Sequence, residues 1–285
     1  MSRRPQLPVM LVGMHRSGTS ILARLLGEAG LFLGATVDDH WEAPFFRELN
    51  DWLLSQAEGT WDHPGDFRYL LEHGELRAAV TDYLRYFLTT RHAVSFLGWK
   101  RFLGLRDVAA LEIPWAFKDP RTSLTLPLWQ DVFPGSPVLS LVRHGVDVAR
   151  SLTVRYSRRF RVTARRDRFW RYWIRPKRGR FSNSKVTQVS MEYNFGLWER
   201  YVADLRTFLD ASPGPTLEVR YEDLLAEPTA LLPEILEFCG LKAPASLVER
   251  LAGELDRGRA FAFREDEGLV EFSRSVEGRL AAYGY

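Results

Sequence analysis

An α/β fold, with a parallel sheet flanked by helices, is predicted by three features of this sequence. Short apolar runs alternate with helix-period segments along the chain. The first run, PVMLVGM, passes through a glycine-containing loop, VGMHRSGTS, straight into an amphipathic segment. The later runs WAFKDP, PVLSLVR and TLEVRYEDL are each followed by another helical pattern. Strand, loop and helix in repeated order mean parallel strands joined by helical crossovers.

Taken in order, PVMLVGM is continuously apolar, as a strand buried on both faces should be. TSILARLLGEAG has helical apolar spacing and a natural stop at Gly30. Residues 38–92 read as mostly helical and rich in Trp and Phe. WAFKDP is a short strand ended by Pro120, and TSLTLPLWQDVF a helix. PVLSLVR is a third strand, and GVDVARSLTVRYS the helix after it. MEYNFGLWERYVADLRTFLDA is a long amphipathic helix, TLEVRYEDL a fourth strand with its exit loop. Helices around LLPEILEFCG and SLVERLAGEL close the core. With no internal repeat and no low-complexity linker, residues 1–285 read as one domain.

Composition narrows the function. A formal charge of +3 gives no global field to attract nucleic acid. One cysteine, Cys239, excludes an internal disulfide. Arg3 and Arg4 precede an apolar run that ends at Gly13, so the run reads as a first strand and not as a signal peptide. No stretch approaches the roughly 20 apolar residues of a membrane span, and a cytoplasmic location is the expectation.

The loop carries the first chemistry. Four residues separate Gly13 from Gly18, and the hydroxyls of Thr19 and Ser20 follow. Backbone N–H groups of such a loop, with the positive end of the next helix, cradle an anion. The usual nucleotide-binding loop has a lysine after its second glycine. Here that position is Thr19, and the cation is Arg16, two residues before the glycine. A nucleoside triphosphate needs dense positive charge and Mg²⁺; a phosphosulfate, with one charge on its sulfonate, does not. A turn whose glycines serve only packing is the plainer reading, and the interleaved Arg16, Ser17, Thr19 and Ser20 weigh against it. A second pair stands in LVRHGVDVARS, where Arg143 ends a strand and Ser151 follows eight residues on. Two helical turns span about 11 Å, so both can close on one phosphate; a surface arginine and a solvated serine would look the same.

Together these motifs resemble the sulfotransferase family, whose donor is 3′-phosphoadenosine 5′-phosphosulfate. RSGTS matches the family's loop for the 5′-phosphosulfate, and Arg143 with Ser151 its 3′-phosphate pair. FKDPRTSLTLPLW, LWERYVADL and VRYEDLLAEP are similar to stretches of bacterial members. The resemblance runs in pieces from about Val9 to Gly240 and carries nothing for 241–285. It implies a sulfotransferase fold of the P-loop NTPase-like kind. It also implies donor contacts from Arg16, Ser17, Gly18, Thr19, Ser20, Arg143 and Ser151, with Tyr221 near the adenine, and no metal.

Arg16 matches the family's catalytic cation and, always charged, acts as a hydrogen-bond donor toward the leaving oxygen. The acceptor hydroxyl needs a base. DDHWEAPFF offers Glu42 first and His40 second; His40 has the more convenient ordinary pKa, while a carboxylate needs burial to raise its own. Glu42 also reads as an ordinary helix-entry charge. In FKDPR, Lys118 sits at the ligand-bearing end of a strand and can reach the sulfonate, with Asp119 fixing Arg121 or the acceptor. A purely structural Lys–Asp–Arg network fits equally.

Residues 155–185 hold thirteen Arg or Lys against one acid, Asp167, with Phe160, Phe169, Trp170, Tyr172 and Trp173 among them. This reads as a basic, aromatic-rich insertion or lid. Such a mix suits an anionic acceptor, an anionic membrane surface contacted peripherally, or nucleic acid. Aromatic rings beside cations favour a glycan or glycolipid acceptor, with a small metabolite as the other expectation for the acceptor hydroxyl. Two other functions share the motifs: a small-molecule P-loop kinase, and a non-catalytic nucleotide-gated module that docks on membranes.

Overall fold

Alternation along the strands explains the two cores. Val9, Leu11, Ala116, Leu139, Leu141 and Val219 enter one aliphatic cluster, and the residues between them face the other way. The computed structural model describes residues 4–65, 67–170 and 186–285, without the side chains of 160 and 162–170. In chain order the elements are β1 (Val9–Val12), α1 (Thr19–Glu28), α2 (Pro44–Ser55), α3 (Phe67–Glu72), α4 (Gly74–Leu88), α5 (Val94–Leu105), β2 (Ala116–Lys118), α6 (Thr122–Val132) and β3 (Val138–Val142). There follow α7 (Gly145–Trp170), α8 (Met191–Asp210), β4 (Thr216–Arg220), α9 (Tyr221–Ala226), α10 (Pro228–Phe238), α11 (Ala245–Gly253), α12 (Glu267–Ser275) and α13 (Glu277–Ala281). The chain divides into two compact units: Met1–Val142 with Tyr201–Ala260, and Arg143–Arg200 with Phe261–Tyr285.

The first unit holds a four-stranded parallel sheet in the order β2-β1-β3-β4. Met10 pairs with Phe117, Leu11 with Leu139, and Ser140 with Glu218. From β1 the chain crosses to one side for β2 and then to the other for β3, so β1 marks the reversal of winding. Ligands of open α/β sheets bind beyond the carboxyl ends of the strands at such a point. The aliphatic face packs Leu22, Leu25 and Leu26 of α1 with Leu224, Leu232, Ile235 and Leu251. The opposite face is aromatic: Phe46 stacks on Phe117 at 4.1 Å and meets Trp129 edge-on at 5.3 Å. The expected strands and α1 form as read, and Gly30 takes the left-handed φ of 105° just past the end of α1.

Three local readings change. β4 has no exit loop, since α9 starts at Tyr221 directly after Arg220. The helix read at 145–157 continues to Trp170, so the start of the basic segment belongs to α7; residues 171–185 of the expected insertion lie outside the described residues. A helix not expected from the sequence, α5, is interrupted at Gly98, where φ is 73° and ψ 155°.

In the second unit the Asp147 carboxylate accepts the backbone N–H groups of Ala262 and Phe263, at 3.2 and 2.8 Å. His144 stacks on Phe263 at 4.5 Å and meets Phe261 and Tyr285 edge-on. Burial, with Arg264 and Arg143 adding repulsion, pushes the His144 imidazole down to about 4. Its folded value lies below the unfolded 6.5, so the stability it contributes is present above pH 6.5 and lost as pH falls toward 4. The full effect is about 3 kcal/mol. A His144→Phe variant keeps the stacking and cannot titrate. Its melting temperature should fall less than the parent's between pH 6.5 and 4; parallel pH profiles would remove His144 as the cause.

Candidate active site

The loop between β1 and α1 is shaped by its glycines. Gly13 has φ 143°, and a Cβ there would stand 2.4 Å from the carbonyl oxygen of Leu141. Gly18 has φ 98°, and a Cβ there would meet the Tyr221 ring at 2.4 Å. The loop is tied inward: Gly13 N–H donates to Ser123 Oγ at 2.9 Å, and Ser17 Oγ donates to the Met14 carbonyl at 2.7 Å. Ser17 therefore uses its hydroxyl to hold the turn. Arg16 is exposed in the left-handed region, φ 73°, a conformation that costs a non-glycine residue free energy and must be held by its surroundings. Thr19 is buried, Ser20 half-buried, and the first turn of α1 carries no acid to oppose an anion.

At the end of β2, Lys118 joins this loop to the one before α2. Only 2% exposed, its Nζ donates to Ser20 Oγ at 3.1 Å, the His40 carbonyl at 3.0 Å and Glu42 Oε1 at 2.8 Å. All three protons of the ammonium are thus used. Burial raises the Glu42 carboxyl above its ordinary value, against the opposing charge of Lys118. This is the shift a carboxylate base requires. His40 enters the cluster through its carbonyl, and its residue is exposed.

Two residues missed in the sequence hold these groups. Asp38 accepts the N–H groups of His40 and Glu42, at 2.8 and 3.0 Å, and binds Arg47 at 2.8 Å. Burial would raise its carboxyl, yet those N–H donors and Arg47 hold it below the usual carboxylate range. Asn50, wholly buried, donates to Asp119 Oδ2 and Thr122 Oγ1, both at 2.9 Å. It accepts from Thr125 Oγ1 and Trp129 Nε1, at 2.7 and 2.8 Å. Asp119 in turn holds Arg121 at 2.9 Å, and Arg121 stands 3.8 Å from Glu42 and 2.6 Å from Asp51. The expected Lys–Asp–Arg group is therefore a network with Glu42 inside it. Asp38 had a signal, an Asx-turn residue four before Glu42. Asn50 had none, because it sits on an ordinary amphipathic helix.

Tyr221 is buried, its ring against Gly18. His15, also unmarked in the sequence, lies 4.4 Å from the Trp61 ring, and Tyr201 Oη donates to the Trp61 carbonyl at 2.7 Å. In the second unit Arg143 precedes α7 with Asp147 at 3.4 Å, and Ser151 is half-buried on α7. Trp198 Nε1 donates to the Arg143 carbonyl at 3.0 Å, close to Gly145, where a Cβ would meet the Trp198 ring at 2.6 Å. Among the described residues no cluster of His, Cys, Asp and Glu is arranged to hold a metal ion, and no helix is long and apolar enough to cross a membrane.

A model of the sulfotransferase family matches residues 8–245, the span that contains every group just described. Among solved structures, the sulfotransferase domain from the curacin biosynthetic pathway is 15% identical, over 90% of this chain and 80% of that one, with a TM-score of 0.44. The sulfotransferase domain of a Synechococcus olefin synthase is 19% identical over 90% and 83%, TM-score 0.43. Sulfotransferase STF1 of Mycobacterium tuberculosis is 16% identical over 87% and 71%, TM-score 0.45. No curated protein matches.

Asn50→Ala tests the network. It leaves Asp119 and its neighbours short of buried partners, at a cost of roughly 1–3 kcal/mol or more, since Asp119 is charged. The urea midpoint should fall accordingly; an unchanged midpoint would mean that Arg121 alone fixes Asp119.

Proposed function

The chain belongs to the sulfotransferase family, and on that premise we propose that it moves a sulfuryl group from 3′-phosphoadenosine 5′-phosphosulfate to an acceptor hydroxyl. The observation that carries this reading is the position of Lys118, whose Nζ touches Ser20 of the glycine loop and Glu42 at once. One cation thereby links the loop proposed for the donor to the carboxylate proposed as base.

In this reading the loop N–H groups and the start of α1 receive the 5′-phosphosulfate. As the bond from sulfur to the bridging oxygen breaks, charge gathers on that oxygen, and the Arg16 guanidinium stabilises it. Lys118, expected from the sequence to reach the sulfonate, has its three protons taken by Ser20, the His40 carbonyl and Glu42, so its part in this reading is to hold Glu42 against the glycine loop. Glu42 takes the acceptor's proton as the new sulfur–oxygen bond forms; His40 is the second choice for this role. Ser17 keeps the loop in shape, Thr19 and Ser20 complete its donors, and Tyr221 buttresses Gly18. Arg143 and Ser151 keep the assignment that the family resemblance implies, the 3′-phosphate. The acceptor proposed is a hydroxyl of a glycan, glycolipid or small metabolite, which the cations and aromatic residues interleaved in the sequence of 155–185 support.

Adenosine 3′,5′-bisphosphate at a hundred times its Kd should stabilise the protein by about 2.7 kcal/mol, with a visible rise in melting temperature. ATP, lacking a 3′-phosphate, should do much less. Arg143→Ala should weaken the bisphosphate by roughly 1.5–3 kcal/mol, or one to two decades. Equal shifts from both nucleotides would sink the donor assignment.

With an acceptor found by a labelled-donor screen read by mass spectrometry, kcat/KM should rise with pH through an apparent pKa above the ordinary 4.5 of a glutamate. Glu42→Gln should abolish that limb and lower turnover by about 10²–10⁴, leaving bisphosphate affinity near the parent's. A dead His40→Ala beside an active Glu42→Gln would transfer the role to the histidine.

A further inference from the structure

Helix α5 carries an apolar and cationic face that the proposed chemistry does not use. Residues 91–106 contain four Lys or Arg (Arg91, Lys100, Arg101 and Arg106) and no Asp or Glu. The half of α5 before Gly98 buries Phe96 and Leu97. At Gly98 the backbone leaves the helical region, and the half beyond it turns outward. There Trp99 is 68% and Leu103 66% exposed. Being four residues apart, they share one side of the helix. Lys100 and Arg106 are exposed with them.

Helix α5 is held on both sides of Gly98, against Phe32 and Ala35. The Arg101 guanidinium lies over the Phe32 ring at 4.5 Å. Ala35 N–H donates to the Phe96 carbonyl at 2.6 Å, and Phe96 meets Phe32 at 5.4 Å. The nearest acid in sequence, Asp107, accepts the Ala109 N–H at 2.8 Å, so its carboxylate caps the next turn. A fixed surface with an exposed Trp, an exposed Leu and cations beside them has the chemistry of a bilayer interface. Indole sits at headgroup level, leucine enters the acyl boundary, and lysine and arginine meet anionic headgroups.

We propose that the Trp99–Leu103 face of α5, with Lys100 and Arg106, is a peripheral docking site for an anionic phospholipid surface. This inference is independent of the sulfotransfer reading, and no activity enters its test.

Pelleting of the full chain with phosphatidylcholine vesicles, with and without phosphatidylserine, tests it. The parent should pellet with the phosphatidylserine vesicles, weakly with phosphatidylcholine alone, and less as salt rises. The pairs Trp99→Ser with Leu103→Ser, and Lys100→Glu with Arg106→Glu, should each lower partitioning by at least about tenfold. Melting temperatures should stay at the parent's value, since these side chains are exposed. Parent-like binding by both pairs would assign membrane contact to another basic stretch and overturn the proposal. So would absence of binding by the parent. A parent dimer in sedimentation velocity that the Trp99/Leu103 pair dissociates, with no vesicle binding, would make this face a contact between copies of the chain.

Discussion

A buried ammonium is the constraint around which the sheet end is arranged. Removing a charge such as that of Lys118 from water costs several kcal/mol unless its protons are satisfied and an opposite charge is near. The protein meets the first condition with Ser20, the His40 carbonyl and Glu42, one from each of three positions in two loops. Glu42 meets the second, and being buried itself it needs Arg121 nearby. Arg121 in turn requires Asp119, and Asp119 requires Asn50. Each group is tolerable in the interior only because of the next. Loss of a single partner in such a chain is typically worth 3–5 kcal/mol, far more than the net value of the intact pair.

That arrangement gives Glu42 two properties that usually conflict. It is ionisable at accessible pH because burial raises its pKa, yet it stays in one place because Lys118 and the Asp38-bound loop fix it. Preorganised carboxylates of this kind avoid the reorganisation that a solvated one undergoes when a proton arrives. The left-handed Arg16 has a related cause. A loop that turns sharply between Gly13 and Gly18 leaves little choice of backbone for the residues between.

Much of the sheet was legible because parallel strands are short apolar runs, and β1, β2, β3 and β4 stand where those runs stand. The glycine loop was legible because its residue types are dictated by backbone geometry at Gly13 and Gly18. The supports were not. Asn50 looks like any polar residue on a helix, and only the three-dimensional meeting of α2 with α6 makes it a hub. Asp147 reads as a first-turn helix acid, and the backbone N–H groups it accepts lie more than a hundred residues away. Helix α5 escaped because Gly98 breaks its period at the middle, and β4 was given a loop because an acidic YEDL segment suits a turn as well as a helix start.

Gly18 and Tyr221 sit on opposite sides of a single van der Waals gap, on segments two hundred residues apart. Any side chain at 18 evicts the ring, and a smaller residue at 221 leaves the loop without its backstop. The tie runs mainly one way: a side chain at 18 meets both the ring and a left-handed backbone of φ 98°, so a smaller residue at 221 relieves only the first obstacle. Among descendants of this sequence Gly18 should therefore persist while 221 drifts among residues that still fill the gap, and a library that randomises 18 will sample mostly broken proteins even when 221 varies with it.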